Sequence, residues 1–192
     1  MNLPYPLILG SKSPRRKEIL EKAGFSFATE SLDTPEDYPE ELPKKEVAAY
    51  LAMRKARAFL NTKAYENSII LTADTTVLID NLLLEKPTDF DDAKRMLNIL
   101  SDRTHEVISA FAILYKNEIL SFSDSTLVSF SRLSEAEIER YIKRHKPYDK
   151  AGAYGIQEGL GLTHIHKLQG SYFTVMGLPI HKVYQQLSIL SA

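Results

Sequence analysis

The nine residues from Val107 to Tyr115, VISAFAILY, are apolar on both faces of an extended chain. Such a strand has no side to turn to water, so it belongs inside a sheet with cover above and below. The fold must supply neighbouring strands and covering helices. Further strands are legible nearby. Ser68–Val77, SIILTADTTV, is a β-branched run interrupted by one acid, Asp74. Leu7, Ile8 and Leu9 end abruptly at Gly10. Asp80-Asn81 makes a turn that returns the chain through Leu82, Leu83 and Leu84. Lys116-Asn117 makes a hairpin turn after Tyr115. In the returning strand Leu120, Phe122, Val128 and Phe130 alternate with Ser121, Ser123, Ser129 and Ser131, giving one core face and one small polar face.

Helical spacing accounts for much of the rest. Ile19, Leu20 and Ala23 recur at helical intervals, with Ser13 as N-cap, Pro14 at the first helical position and Gly24 at the end. Lys44–Leu60 and Asp89–Leu100 are amphipathic. Ser134 with Glu137 is a capping box that opens a helix to His145. Pro179 starts a C-terminal helix. Phe25–Ser31 and Leu162–Leu168 read as short strands. Asp33–Pro43 is an acidic loop with three prolines, and Pro147–Gly161 is glycine-rich and irregular. Mixed helices, strands and hairpins predict an α/β fold whose sheet is not purely parallel.

Composition narrows the chemistry. The net charge of −1 provides no overall polycationic field for a nucleic-acid polymer or a membrane surface, so any anion site is local. The absence of cysteine removes disulfides, thiolate metal sites and a cysteine nucleophile. The N-terminal residues have neither the basic start nor the apolar length of a signal peptide, and no run approaches the ~18 apolar residues of a membrane span. The expected location is cytoplasmic.

The strongest chemical signal is Leu7–Arg16, LILGSKSPRR. A strand, a tight turn and a helix start there present backbone N–H groups and the positive end of a helix dipole. Ser11, Ser13, Lys12, Arg15 and Arg16 crowd the same turn. Cations in a first turn oppose the dipole, a placement that makes sense where an anion such as a polyphosphate is bound. The plain alternative is a capped helix with a solvated basic first turn. Asp74 requires pairing, metal coordination or a shifted pKa, or it is an acid accepting backbone N–H groups at a strand end. Lys55 lies on the second helix, Lys86 follows the Leu82–Leu84 strand, and Glu36 lies in the acidic loop. The spacing of Ala151-Gly152-Ala153-Tyr154-Gly155-Ile156-Gln157 allows close backbone approach to a ligand. His164 and His166, two apart on a strand, are a metal pair only if a third ligand exists, and the sequence offers none nearby.

Taken together, SKSPRR at 11–16, LTADTTV at 71–77, the 85–107 segment from Glu85-Lys86-Pro87 to His105-Glu106-Val107, YDKAGAYGIQ at 148–157 and GSYFTVMGLP at 170–179 resemble the Maf family of nucleoside triphosphate pyrophosphatases. The resemblance spans nearly the whole chain. It implies a single Maf-like domain over residues 1–192, with an elongated mixed β-sheet flanked by helices. It also implies two lobes around a central cleft, an architecture shared with inosine-triphosphate pyrophosphatases. It implies hydrolysis of a nucleoside triphosphate to the monophosphate and pyrophosphate, dependence on Mg²⁺ or Mn²⁺, removal of non-standard nucleotides as a role, and a homodimer.

Carried over position by position, Ser11, Ser13, Arg15 and Arg16 bind phosphate, and Lys55 and Lys86 are further cations. Asp74 is the proton acceptor, a metal ligand or both. Glu36 is the acid of the loop motif, although Pro35 stands where the family carries another acid. Asp102 replaces a glycine at a helix end. The family branch acting on 7-methylguanosine triphosphate carries tryptophan, glutamine and an acid at three positions where this chain has Arg15, Thr75 and Gln157. Those three match the branch acting on dTTP and UTP. A Gln amide both accepts from and donates to a thymine or uracil edge, and a Thr hydroxyl adds an adaptable bond. The rival reading is a nucleotide-binding regulator of cell division without turnover.

Overall fold

The computed structural model describes residues 1–60 and 62–191. The elements run β1 (Leu7–Gly10), α1 (Pro14–Lys22), β2 (Ala28–Glu30), a 3₁₀ turn into α2 (Val47–Arg57), β3 (Ile69–Ile79), β4 (Leu82–Leu84) and α3 (Phe90–Leu100). They continue through β5 (Thr104–Tyr115), β6 (Glu118–Phe130), α4 (Glu135–His145), α5 (Leu160–His164), β7 (Ile165–Gln169), α6 (Tyr172–Met176) and α7 (Ile180–Leu190). The strands form one seven-stranded sheet in the order β2-β1-β3-β5-β6-β7, with β4 paired to β3. β1 is parallel to both β2 and β3, while β3–β4 and β6–β7 are antiparallel. The sheet is therefore mixed and the class is α/β, as predicted. No helix among the described residues is long and apolar enough to cross a membrane.

Turn chemistry explains the hairpins. Asp80 and Asn81 both take positive φ, 46° and 65°, as do Lys116 and Asn117 at 50° and 65°. That pair of conformations matches the right-handed twist of the strands they join. Asp102 sits just past α3 at φ 57°, the left-handed conformation a glycine would supply there. The helix starts follow the capping rules. Asp89 accepts the Asp92 N–H at 2.8 Å, and Ser134 and Glu137 close a full capping box.

The chain divides into two compact units. The first comprises Met1–Asp74, Ser109–Asp124 and Gly177–Ala192. Its core holds Leu7, Leu9, Ile19, Leu20, Leu51, Ile69, Leu71 and Phe111. Within it, the Thr72 hydroxyl donates to the Ala52 carbonyl at 2.7 Å, joining β3 to α2. The second comprises Thr75–Ile108 and Ser125–Met176. Its core gathers Val77, Leu84, Leu97, Leu100, Val128, Phe130, Ile138, Ile142 and Tyr154.

Four local expectations are corrected. Leu162–His164 is helix rather than strand, because the N–H groups of Leu162 and Thr163 turn back to the Gly159 carbonyl. Tightening at that point requires glycine at 161, where a Cβ would lie 2.1 Å from the Gly155 carbonyl oxygen. His164 and His166 consequently part company. His164 faces Glu137 at 3.4 Å and His166 faces the Ser131 hydroxyl at 3.3 Å. Leu120, near the hairpin tip, is 53% exposed rather than core. The strand expected at Phe25–Ser31 shrinks to three residues, the length over which β2 registers with β1.

His105 is buried in the second unit, with its Nε2 2.7 Å from the Tyr154 hydroxyl, its ring stacked on Phe130 and its Nδ1 without a partner. Burial pushes its pKa down to about 3, so it is neutral in the folded state. The unfolded chain gains a proton as pH falls through about 6.5 and the folded chain does not, so folding stability declines with acidification between about 6.5 and 3. We expect the unfolding free energy to fall by about 1.4 kcal/mol per pH unit from this group. In urea titrations at pH 6 and pH 5, that increment should vanish in His105→Gln; equal slopes in both proteins would remove the assignment.

Candidate active site

The first unit assembles the charged site around Asp74. β3 is buried along almost its whole length, and Asp74, its sixth residue, keeps 8% of its surface exposed. A carboxylate there demands a partner. Lys55, in the last turn of α2, provides it, with its Nζ 3.1 Å from Asp74 Oδ1. The same ammonium lies 2.9 Å from Glu36 Oε1. Two carboxylate oxygens therefore converge on one cation.

Glu36 comes from the acidic loop, which has no regular structure of its own. Ion pairs hold it in place. Lys12 meets Asp33 at 2.7 Å, and Arg54 meets Asp37 Oδ1 at 3.0 Å and also bonds the Asp37 carbonyl. Hydrogen bonds from Lys12 and Arg54 hold the Asp33 and Asp37 carboxyls below their ordinary pKa. The prolines of this loop deprive it of N–H donors and restrict its φ angles, so side-chain pairs do the anchoring.

The basic turn occupies the same unit. Gly10 ends β1 where a Cβ would lie 2.8 Å from the Thr72 side chain and 3.1 Å from Phe59, so only glycine lets β1 pass this close to β3. Ser13 is the N-cap residue, yet its side chain makes no capping bond. The Ser11 hydroxyl instead accepts the Ser13 N–H at 3.2 Å and a guanidinium bond from Arg16 at 3.3 Å. Arg16 Nε donates to the Gly177 carbonyl at 2.8 Å, tying α1 to the segment before α7. Burial pulls the Arg16 pKa down, and the Asp74 charge opposes that shift. Ser11, Ser13, Arg15, Arg16, Lys55, Glu36 and Asp74 thus all lie in one compact unit. Arg16 interacts electrostatically with both carboxylates.

Thr75, Lys86 and Gln157 lie in the second unit. Thr75 is half-buried on β3, and Lys86 is exposed just past β4. The Gly152 N–H donates to the Glu85 carbonyl at 3.1 Å, fastening the residue before Lys86 to the glycine-rich loop. In that loop the Gln157 side-chain oxygen is buried without a hydrogen-bond partner. An orphaned buried amide oxygen is costly unless something else satisfies it.

Sequence reasoning flagged Asp149 and Lys150 ahead of this loop and missed Tyr141 and Glu158, which shape it with them. The Tyr141 hydroxyl accepts the Gly155 N–H at 3.0 Å and donates to Glu158 Oε1 at 3.1 Å, and Lys150 bridges Glu158 and Asp149. Burial raises the Tyr141 pKa, so the hydroxyl keeps its proton. The one signal available was Tyr141 on the apolar stripe of an otherwise polar helix, which reads equally well as core.

Among the described residues, no three His, Cys, Asp or Glu side chains gather as a metal-holding group. The pair Glu36 and Asp74 nevertheless fits Mg²⁺ or Mn²⁺, since such ions are commonly held by one or two carboxylates together with water and substrate phosphates. That the two oxygens already share one cation is the geometric basis of the fit.

The sequence model of the Maf-like protein family matches residues 6–190. Named relatives are similar over nearly the full length. A Porphyromonas gingivalis protein named dTTP/UTP pyrophosphatase is 45% identical over 95% of this chain and 93% of its own. A protein of the same name from Phocaeicola vulgatus is 43% identical over 97% and 96%. Another from Cytophaga hutchinsonii is 46% identical over 94% and 82%. A solved structure, titled as that of the Staphylococcus aureus Ham1 protein, is similar over 65% of this chain and 71% of its own, with 11% identity and a TM-score of 0.47.

The Arg16–Gly177 bond makes a structural demand separable from ligand binding. Arg16→Ala should lower the unfolding free energy by about 1.5–3 kcal/mol, the scale of a charged hydrogen bond that is partly withdrawn from water. Chemical denaturation measures it; a loss under about 0.5 kcal/mol would mean that the guanidinium contributes nothing to holding the fold.

Proposed function

The chain belongs to the Maf-like protein family, and from that premise we propose that it is a nucleoside triphosphate pyrophosphatase converting dTTP and UTP to the monophosphate and pyrophosphate. The observation that carries the reading is Asp74, a buried carboxylate on an apolar strand, paired with a lysine and coupled to Arg16 of the basic turn. The names of the relatives support the substrates. The elimination of modified pyrimidine nucleotides is the matching cellular role, in the cytoplasm where those substrates are found.

The residue types suit α–β phosphoanhydride hydrolysis. In this reading Arg15, Arg16, Ser11, Ser13 and the start of α1 hold phosphate oxygens. Lys55 and Lys86 neutralise charge that develops on the leaving pyrophosphate. Asp74 accepts the proton of the attacking water. Glu36 and Asp74 would hold the divalent metal, which supplies charge neutralisation and Lewis acidity when bound. A regulator that only binds nucleotide has no use for a buried acid among phosphate-binding cations, so turnover is the better account of Asp74. We treat the whole chain as one Maf-like domain, since β3, β5 and β6 each contribute residues to both units.

Gln157 is proposed to read the pyrimidine edge, and its unpartnered oxygen is the support for that role. An amide offers one acceptor and two donors, which suits a base edge of two carbonyls and one N–H. Thr75 is proposed as a second, adaptable contact.

Three outcomes test the reading. With Mg²⁺ or Mn²⁺, dTTP and UTP should give the highest kcat/KM in a nucleotide panel and release pyrophosphate; orthophosphate with a diphosphate product would sink the reaction assigned. Asp74→Asn should cost about 10²–10⁴-fold in kcat with the circular dichroism spectrum unchanged. Gln157→Glu should lower pyrimidine kcat/KM by about tenfold or more, because an acceptor replaces the donor against a carbonyl. A purine or 7-methylguanosine triphosphate outperforming both pyrimidines would overturn the base assignment alone.

A further inference from the structure

Glu36 and Asp74 present their oxygens to one ammonium. Lys55 Nζ lies 2.9 Å from Glu36 Oε1 and 3.1 Å from Asp74 Oδ1, and the Lys55 and Asp74 side chains are only 18% and 12% exposed. A divalent metal held by the same pair needs the same oxygens. Ammonium and metal therefore compete for one position. Resting on the metal-dependent pyrophosphatase reading, we propose that Lys55 is an internal counter-cation that fills the metal position in the free protein, so that metal and triphosphate enter as a coupled pair.

The electrostatics run in one direction. Asp74 is buried and Glu36 is 46% exposed at its side chain, and Lys55 offsets the repulsion between the two carboxylates. Its place in the last turn of α2, where the dipole favours a cation, supports the parked position. A bare metal ion must displace the ammonium without offering it an anion in exchange. It must also approach against Arg16, whose charge already interacts with both Asp74 and Glu36. A metal–triphosphate complex brings both replacements at once. Its metal satisfies the carboxylates, and its phosphate oxygens receive the ammonium. The four-carbon stem and three rotatable donors of lysine suit such a transfer better than a rigid guanidinium fork. Linkage makes the effect reciprocal, so nucleotide tightens metal by the factor that metal tightens nucleotide.

The test is Mn²⁺ binding to the full chain, followed by electron paramagnetic resonance of free Mn²⁺. It is run with and without a non-hydrolysable α,β-imido analogue of dTTP. Asp74→Asn subtracts binding elsewhere on the surface. Wild type should bind Mn²⁺ weakly alone and about tenfold or more tightly with the analogue. Lys55→Met should bind Mn²⁺ alone about tenfold or more tightly than wild type, with a smaller gain from the analogue. Lys55→Gln provides the same comparison if the methionine variant does not fold. Lys55→Arg, which keeps a cation, should bind Mn²⁺ alone as weakly as wild type. Equal or weaker Mn²⁺ binding by the neutral variants in the absence of nucleotide would overturn the proposal. So would wild-type binding that the analogue leaves unchanged, or the absence of Asp74-dependent binding in every variant. Failure of the pyrophosphatase reading appears elsewhere, as no pyrophosphate released from dTTP or UTP, and it does not alter the metal-only comparison between wild type and the Lys55 variants.

Discussion

A carboxylate buried on an apolar strand is the constraint from which the first unit follows. A carboxylate on β3 calls for a cation within a few ångströms, because burying an unpaired ion is costly against the few kcal/mol of net stability a small domain has. Lys55 supplies that cation from α2, and the Thr72 hydroxyl fixes α2 against β3 two residues before the acid. The acidic loop is then drawn in by the same ammonium through Glu36 and fastened by Lys12 and Arg54. Removing Lys55 would leave two acids facing one another with no regular backbone ladder to hold the loop that carries one of them. A site built this way calls for a cation, and the proposed exchange of lysine for metal rests on that requirement.

The basic turn obeys a second constraint, steric rather than electrostatic. Gly10 allows β1 to pass the Thr72 and Phe59 side chains, and the chain then turns directly into α1. Cations in the first turn of α1 gain nothing from the helix dipole. Arg16 is nevertheless retained there by a carbonyl acceptor at Gly177, by the Ser11 hydroxyl and by the Asp74 field. The positive charge of the turn is thus balanced by acids distant in sequence.

Patterns with a local physical cause were legible in the sequence. The hairpin turns at Asp80-Asn81 and Lys116-Asn117, the Asp89–Leu100 helix and the Ser134–Glu137 box all rest on interactions within four residues, and the structure places them where the sequence does. The central strand was legible because an apolar run on both faces has few other fates. Asp74 stood out for the opposite reason, as one charge inside such a run. Non-local facts were not legible. Nothing in the Leu162–Leu168 stretch says that Gly159 and Gly161 let the chain coil first, and nothing in Leu120 says that it lies outside the core. The pairing of Glu36 with Lys55 spans nineteen residues and a loop without periodicity. The family resemblance named both residues, while their sharing of one position became visible only in three dimensions.

The residues proposed for hydrolysis and the residue proposed for base reading are held by different physics. Asp74, Lys55, Glu36 and Arg16 are held in one unit by charge, and each depends on the others. Gln157 sits in the other unit, in a loop held by a protonated Tyr141 hydroxyl, a Gly155 amide and the Glu158–Lys150 pair. None of those anchors uses the Gln157 side chain. A change at 74 or 55 strips a partner from a buried ion. The asymmetry bears on how substrate choice can vary within one fold. The group proposed for base reading thus has its own anchors, Tyr141 and the Lys150–Glu158 pair, separate from the charges gathered around Asp74.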